Sequence, residues 1–256
     1  MNRLEKINSI RQSLAANQPS VGSWMQIPHA SVAEIMGKAG YDWVAVDMEH
    51  GSVSVHQLPD LFRALELGGT LPLVRLGHGH PMDCKQALDA GAGGVIVPMV
   101  ETASQLIAVR DACRWPPAGT RGVGFSRANL FGKHFEAYRE ESQAPLLVAM
   151  IEQSRAVEGI EEILAVEGLD AILIGPYDLS ASMGCTGQFD DPVFIATMER
   201  IRTLCHQANT HCGIHVVMPN ADELKQRINE GYRFIAYSID SVFLNTSTIA
   251  PKMSNS

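Results

Sequence analysis

The feature that most constrains this chain is a rhythm. Short apolar, β-branched runs alternate with helical stretches, and the pairing occurs eight times. The runs are SVGSWMQI (20–27), WVAVDM (43–48), LPLVRL (71–76), GGVIVPM (93–99), LLVAMIE (146–152), DAILIGP (170–176), HCGIHVV (211–217) and FIAYSID (234–240). Between them lie stretches such as SVAEIMGKA, VHQLPDLFRALELG, TASQLIAVRDAC and PVFIATMERIRTLCHQA. Near-continuous apolar strands separated by helices imply a parallel sheet covered on both faces. Eight such units in 256 residues predict an α/β fold, a single (β/α)8 TIM barrel. An open doubly wound sheet is the competing architecture, and it usually carries G-x-G-x-x-G after its first strand. Here PHASVAE follows the first strand, and GAGG (91–94) precedes the fourth. Residues 1–256 are read as one barrel domain, with an N-terminal helix in 1–19 and a C-terminal tail at 241–256. The connection 113–145 is long. Loops of that length are usually functional, interfacial or built around a short helix.

Composition removes several function classes. The net charge is −8, and no Lys/Arg stripe occurs, so neither nucleic acid nor an anionic membrane is an expected partner. No apolar stretch approaches the roughly 18–20 residues that span a bilayer. The first residues lack the apolar core of a secretory signal. The five cysteines are scattered without a C-x-x-C pair, which predicts reduced thiols in a cytoplasmic protein.

Barrels of this type carry their chemistry at the C-terminal ends of the strands. The second strand ends in Asp47, followed by Glu49 and His50. The third ends in Arg75 and the fifth in Glu152. The sixth runs into GPYDLS, which places Asp178 just past its end, and the eighth ends in Asp240. Apart from Asp170, the strand bodies are expected to place no ionisable group in the core. Asp240 and the segment 215–220 are read as structural, and His78 and His80 as a solvated loop.

Glu152 and Asp178 come from consecutive strands, and neighbouring strands lie about 4.8 Å apart. Such a pair suits one small cation, and oxygen-only ligation favours Mg²⁺ or Mn²⁺. The competing reading is a carboxylate pair hydrogen-bonded to loop amides. Asp47 and Glu49 are candidates for the cation's outer shell. His50 is either a structural histidine at a loop start or a general base. Arg75 is either an ion-pair partner for Asp47 or Glu49, or a planar fork for a substrate carboxylate or enolate oxygen. The exposed backbone of Gly175, Pro176, Tyr177 and Asp178 is suited to holding a substrate carboxylate. No lysine sits where a Schiff base would need one.

The segments DMEHG, VRLG, DAGAGGVIVPMVET, RWPPAGTRGVG, MIEQ and GPYDLSASMG occur in the order found in the HpcH/HpaI aldolase family. The chain resembles that family from about residue 20 to about 240. The resemblance implies a metal-dependent class II pyruvate aldolase, a carbon–carbon lyase acting on 4-hydroxy-2-oxo acids of the keto-deoxy sugar acid type. It implies Glu152 and Asp178 as ligands of Mg²⁺, Mn²⁺ or Co²⁺, His50 as base and Arg75 as the group facing a metal-stabilised pyruvate enolate. The partners are then a small 2-oxo acid and an aldehyde. It also implies that Asp89 raises the basicity of a histidine. Asp89 reads as lying at the far end of the barrel, so it would reach that histidine only from a neighbouring subunit of a homo-oligomer, a hexamer or trimer. Two positions depart from the family. Met150 stands where a glutamine contacts substrate, and a thioether cannot donate that hydrogen bond. Tyr177 stands where related enzymes often have alanine. The polar tail after Asp240 is shorter than the family's long final helix. Oxaloacetate decarboxylase or acyl-CoA lyase activity would use the same metal–enolate site. An acyl-CoA enzyme would need a basic patch, for which the long loop offers Arg121, Arg127 and Lys133.

Overall fold

A computed structural model describes residues 1–251 of the chain. Eight strands, β1 (Ser20–Met25), β2 (Trp43–Asp47), β3 (Leu71–Arg75), β4 (Gly94–Val97), β5 (Leu146–Ile151), β6 (Ala171–Ile174), β7 (His211–Val216) and β8 (Phe234–Ile239), close into one barrel in chain order. Every neighbouring pair is parallel, including β1 with β8. The helices are α1 (Arg3–Ala15), α2 (Ala30–Lys38), α3 (Leu58–Gly68), α4 (Pro81–Asp89), α5 (Ala103–Cys113), α6 (Phe135–Gln143), α7 (Ser154–Glu158), α8 (Ile160–Leu164), α9 (Pro176–Ser182), α10 (Pro192–Gln207), α11 (Ala221–Asn229) and α12 (Asp240–Ser247). The expected (β/α)8 barrel is therefore the observed one.

The strands are apolar on both faces because each face has its own core. Trp24, Trp43, Leu73, Ile96, Val148, Met150, Leu173 and Phe234 pack inside the barrel. Val44, Val46, Val74, Val95 and Ile172 point outward and pack with helix residues such as Leu61, Phe62 and Leu106. Inside, Trp43 stacks on Phe234 with ring centroids 4.5 Å apart, and Trp24 meets Trp43 edge-on at 6.5 Å. Gly22 is required here, because a Cβ would overlap the Trp43 ring.

α1 stops the lower end of the barrel. Its apolar face, Ile7, Ile10 and Leu14, joins the inner core beside Trp43, Leu71 and Leu146. Arg11 pins it there, donating from Nε to Asp170 Oδ1 at 2.7 Å and from Nη2 to the Ala144 carbonyl at 3.0 Å. Asp170, at the start of β6, is thus neutralised in place.

The long connection leaves the C-terminal end of α5 and enters the N-terminal end of β5, so it lies at that same lower end. It folds as a 3-10 turn (Arg127–Asn129) and α6, around a small core of Trp115, Ala128 and Tyr138. Arg121 is buried and donates to Tyr138 Oη at 2.9 Å and to Asp89 at 3.4 Å. Arg127 donates to the Ala90 carbonyl at 2.8 Å and to Glu66 at 2.6 Å. These two arginines are occupied within the fold, and the basic patch that an acyl-CoA substrate would need does not form around them.

Every strand stops one or two residues short of the run read from the sequence. β6 stops at Ile174, and Pro176 opens α9, whose first position accepts a residue without an N–H. β8 stops at Ile239, and Asp240 begins α12, so the start of the C-terminal tail is helical. Residues 252–256 of that tail lie outside the described residues. Register between β1 and β8 slips between Gly22 and Trp24, and Ser238 opposite has φ +55°, the geometry of a bulge. The five cysteines are all free. Among the described residues, no helix is long and apolar enough to cross a membrane.

Candidate active site

The C-terminal ends of the strands bring charges together around one buried carboxylate. Asp47 is the last residue of β2 and fully buried; Arg75, its register partner, is the last residue of β3. Arg75 grips Asp47 in a fork, Nε to Oδ1 at 2.8 Å and Nη2 to Oδ2 at 2.5 Å. Gln26 Nε2 adds a third donor to Oδ2 at 2.9 Å. Oδ1 also accepts from the backbone N–H groups of Glu49 at 3.0 Å and His50 at 3.2 Å. The side chain therefore turns the chain after β2 and sets where the next acid and imidazole stand. Burial works against the Asp47 charge, but the Arg75 hydrogen bonds and charge prevail and hold its carboxyl below the ordinary range.

Both readings of Arg75 meet in its geometry. Two nitrogens belong to Asp47, and Nη1 lies 3.1 Å from Glu49 Oε2 and 3.9 Å from Met150 Sδ. Its guanidinium carbon sits 4.6 Å from the Trp24 ring centre. A fork locked on one carboxylate still leaves its third nitrogen directed at Glu49.

Glu152 follows β5 and is 1% exposed. Its Oε1 accepts the Met99 N–H at 2.6 Å, and Met99 adopts φ +51° to deliver it. A Cβ at Gly175 would come within 2.9 Å of Glu152 Oε2, so the bare glycine leaves room for that oxygen. Burial is the largest influence on Glu152. The Met99 N–H opposes it, Glu49 and Asp178 reinforce it, and the carboxyl is pushed up to about 7. Glu49 is also raised, by burial first and then by Asp47 and Asp178, against the pull of Arg75. Its Oε2 is buried without a hydrogen-bond partner, the Arg75 contact being an ion pair of poor hydrogen-bond geometry. Asp178 is exposed in the first turn of α9.

Glu49, Glu152 and Asp178 thus crowd one another, and Arg75, already committed to Asp47, compensates them only in part. A bound cation would relieve that repulsion. The donors are all oxygens. Among the described residues, no three His, Cys, Asp or Glu side chains already converge as a ligand set. Glu152 and Asp178 would provide two ligands and leave the other positions to water or substrate, the usual habit of Mg²⁺.

His50 stands on the rim of the same cluster, with its side chain 58% exposed and Nε2 3.9 Å from Glu49 Oε2. Tyr177 is exposed beside Asp178 with its ring edge-on to Phe189 at 4.9 Å. Met150 points into the barrel beneath Arg75. Asp240 ties β8 to the chain after β1, accepting from Gln26 N–H, Ile27 N–H and Ser241 N–H. Asp89 is not brought to His50 within the chain. It closes α4, paired with Arg121, and burial raises its carboxyl in spite of Arg121 and Lys85.

One expectation fails outright. The strand bodies do hold an ionisable group facing the barrel interior, the half-buried His215 in β7. Its ring lies edge-on to Trp24 at 5.9 Å. Burial, then Arg75, pushes the imidazole down to about 4, so it is neutral. Gln26 and Trp24 were also missed. Nothing in the sequence separates them, because a strand buried on both faces shows no alternation to say which residues face inward.

The family model for HpcH/HpaI aldolase/citrate lyase matches residues 20–246. A hydroxypyruvate/pyruvate aldolase of Roseobacter denitrificans is 36% identical over 251 residues, 96% of this chain and 97% of that protein. A 4-hydroxy-2-oxovalerate aldolase of Novosphingobium aromaticivorans is 38% identical over 242 residues, 92% of this chain and 89% of that protein. A crystal structure of a family protein from Burkholderia cenocepacia superposes with a TM-score of 0.87 at 32% identity, covering 94% of this chain and 96% of the other. The chain belongs to the HpcH/HpaI aldolase/citrate lyase family.

Proposed function

We propose that this protein is a divalent-cation-dependent aldolase that interconverts a 4-hydroxy-2-oxo acid with a 2-oxo acid, pyruvate or a substituted pyruvate, and an aldehyde. The observation that carries the reading is the crowding of Glu49, Glu152 and Asp178 beside a single, shared guanidinium. Glu152 and Asp178 hold the cation, Mg²⁺, Mn²⁺ or Co²⁺. When bound, it supplies Lewis acidity toward the keto oxygen of the substrate.

The chain's own residues do the rest. The turn Gly175–Pro176–Tyr177–Asp178 receives the substrate carboxylate. Nη1 of Arg75 faces the keto oxygen, where negative charge grows as the C3–C4 bond breaks. Asp47 positions Arg75 and keeps its fork from swinging. His50, on the open rim, takes the C4 hydroxyl proton in cleavage; the electron pair of the C3–C4 bond moves to the 2-oxo acid fragment, and the aldehyde leaves. Protonation at C3 then releases the 2-oxo acid, and synthesis reverses these steps. Met150 offers no donor at its position, so discrimination there rests on shape. Asp89 acts on the histidine of a neighbouring copy in a homo-oligomer, hexamer or trimer, working in the cytoplasm.

The acyl-CoA alternative loses its support, because Arg121 and Arg127 are locked at the opposite end of the barrel. Oxaloacetate decarboxylation would leave the same enolate and serves as a comparison reaction. The test is pyruvate release from 4-hydroxy-2-oxo acids with Mn²⁺ or Mg²⁺, before and after EDTA. We expect activity to vanish in chelator and to return when the cation is restored. Full turnover in EDTA overturns the proposal.

A further inference from the structure

The Asp47 carboxylate is gripped from two sides. β2 lies between β1 and β3 in the barrel. Arg75 comes from the β3 side, with Nε on Oδ1 and Nη2 on Oδ2. Gln26, the residue after β1, comes from the other and donates from Nε2 to Oδ2 at 2.9 Å. The terminal torsion of an aspartate is soft, so a carboxylate held by one fork can turn and carry the guanidinium with it. The Glu49 and His50 N–H groups restrain Oδ1. Among the described residues, Gln26 is the one group besides Arg75 that donates to Oδ2.

The direction of the Gln26 amide follows from its partners. An ionised carboxylate only accepts, so the NH₂ end faces Asp47. The oxygen end accepts from Ser241 Oγ at 3.2 Å, and Ser241 stands in the first turn of α12. The Gln26 backbone is tied to the same turn. Its N–H donates to Asp240 Oδ1 at 2.9 Å, and Asp240 also accepts from the N–H groups of Ile27 at 2.9 Å and Ser241 at 2.7 Å. Asp240 is buried, so water competes little for these bonds. The loop after β2 closes over the residue as well. A Cβ on Gly51 would overlap the Asp47 carbonyl and touch Gln26 Cα at 3.4 Å. A bonded chain thus runs from α12 through Ser241, Gln26 and Asp47 to Arg75, whose remaining nitrogen, Nη1, lies 3.1 Å from Glu49.

We propose that Gln26 is a positioning residue, which locks the Asp47–Arg75 fork from the β1 side and, through Ser241, makes the placement of Arg75 depend on the C-terminal helix α12. Its effect on turnover rests on the aldolase reading above; the link from α12 to Arg75 does not. Gln26 makes no hydrogen bond to Glu152 or Asp178, so its loss leaves the cation ligands in place. A residue that merely anchored α12 would change stability without a selective effect on the chemical step.

The experiment uses the full chain as wild type, Gln26→Met, Ser241→Ala, Ser241→Thr and the double variant Gln26→Met with Ser241→Ala. Release of the 2-oxo acid is followed from a panel of 4-hydroxy-2-oxo acids that begins with 4-hydroxy-2-oxovalerate. Mn²⁺ affinity is measured by calorimetry, and the ¹⁵N signals of the Arg75 side chain are recorded in the Mg²⁺-loaded proteins. In Gln26→Met, kcat should fall by about tenfold with KM and Mn²⁺ affinity near the wild-type values, since a misplacement of about 1 Å can cost about a hundredfold. Ser241→Ala should lower kcat by a smaller factor, and Ser241→Thr, which keeps the hydroxyl, should restore it. The double variant should be no slower than Gln26→Met, because members of one hydrogen-bonded network do not act additively. The Arg75 signals should shift in Gln26→Met and in Ser241→Ala. Should Gln26→Met fail to fold, Ser241→Ala against Ser241→Thr decides alone. An unchanged kcat in Gln26→Met, a loss confined to KM or Tm, or a Ser241→Ala loss equal in both backgrounds overturns the positioning role and leaves the aldolase standing. If the wild type turns over none of the panel, the aldolase reading falls instead; Arg75 signals that still move in the variants then uphold the link, and signals that stay overturn it too.

Discussion

At the scale of single residues, the site is organised by what Asp47 accepts. Five hydrogen bonds converge on one carboxylate, and the residues that donate them are those the chemistry needs held still. His215 shows the opposite condition, a neutral imidazole whose Nε2 has no partner. Its depressed pKa makes stability depend on pH with a definite sign. The unfolded chain protonates this histidine below about 6.5, whereas the folded protein does so only near 4. Between those values the unfolded state holds more protons, so stability falls as pH drops from 6.5 toward 4 and levels off below. At about 1.4 kcal/mol per unit, the loss approaches about 3.5 kcal/mol when both states are protonated and is about 2–3 kcal/mol by pH 4.5. Urea unfolding at pH 7 and pH 4.5 checks it. Wild type should lose that much more stability than His215→Leu across the interval, and equal losses would show that another group sets the slope.

At the scale of elements, the strand ends were legible in the sequence because polarity changes abruptly there. Asp47, Arg75, Glu152 and Asp178 each terminate or follow an apolar run, and the folded barrel gathers them at one mouth. The interior was not legible. Val44 and Ala45 read alike, yet one packs outward against helices and the other inward against Trp24. Close helix approaches were equally silent. α2 and α3 meet where Gly37 and Gly68 touch, and a Cβ on Gly68 would overlap the Gly37 backbone. Thr70 Oγ1 then caps the contact by donating to the Gly37 carbonyl at 2.9 Å. Gly68→Ala should therefore destabilise the protein by about 1–3 kcal/mol through overpacking, seen as a Tm lowered by several degrees. Mn²⁺ affinity should be little changed, since the contact lies outside the barrel wall. An unshifted Tm would mean that the helices separate freely.

At the scale of the whole molecule, the two ends of the barrel have been given different work. The upper end carries the acids, and the lower end carries α1, the long connection and Asp89. Arrangement in space, which motif order does not reveal, is why Arg121 and Arg127 looked available in the sequence and are occupied in the fold. Val123, Phe125, Leu130 and Phe131 remain exposed on that connection, and exposed apolar side chains that cluster mark interaction surfaces. Sedimentation should find a trimer or hexamer at micromolar concentration. A monomer would remove any route by which Asp89 could serve a histidine. The stopper formed by Ile7, Ile10 and Leu14 has a kinetic corollary. A tube sealed at its base has a single doorway, and whatever lodges deepest must queue behind its partner to leave. The keto acid, seated against Arg75 and Glu152, should enter before the aldehyde and depart after it. Product-inhibition patterns would report that order, and random release would mean a second exit.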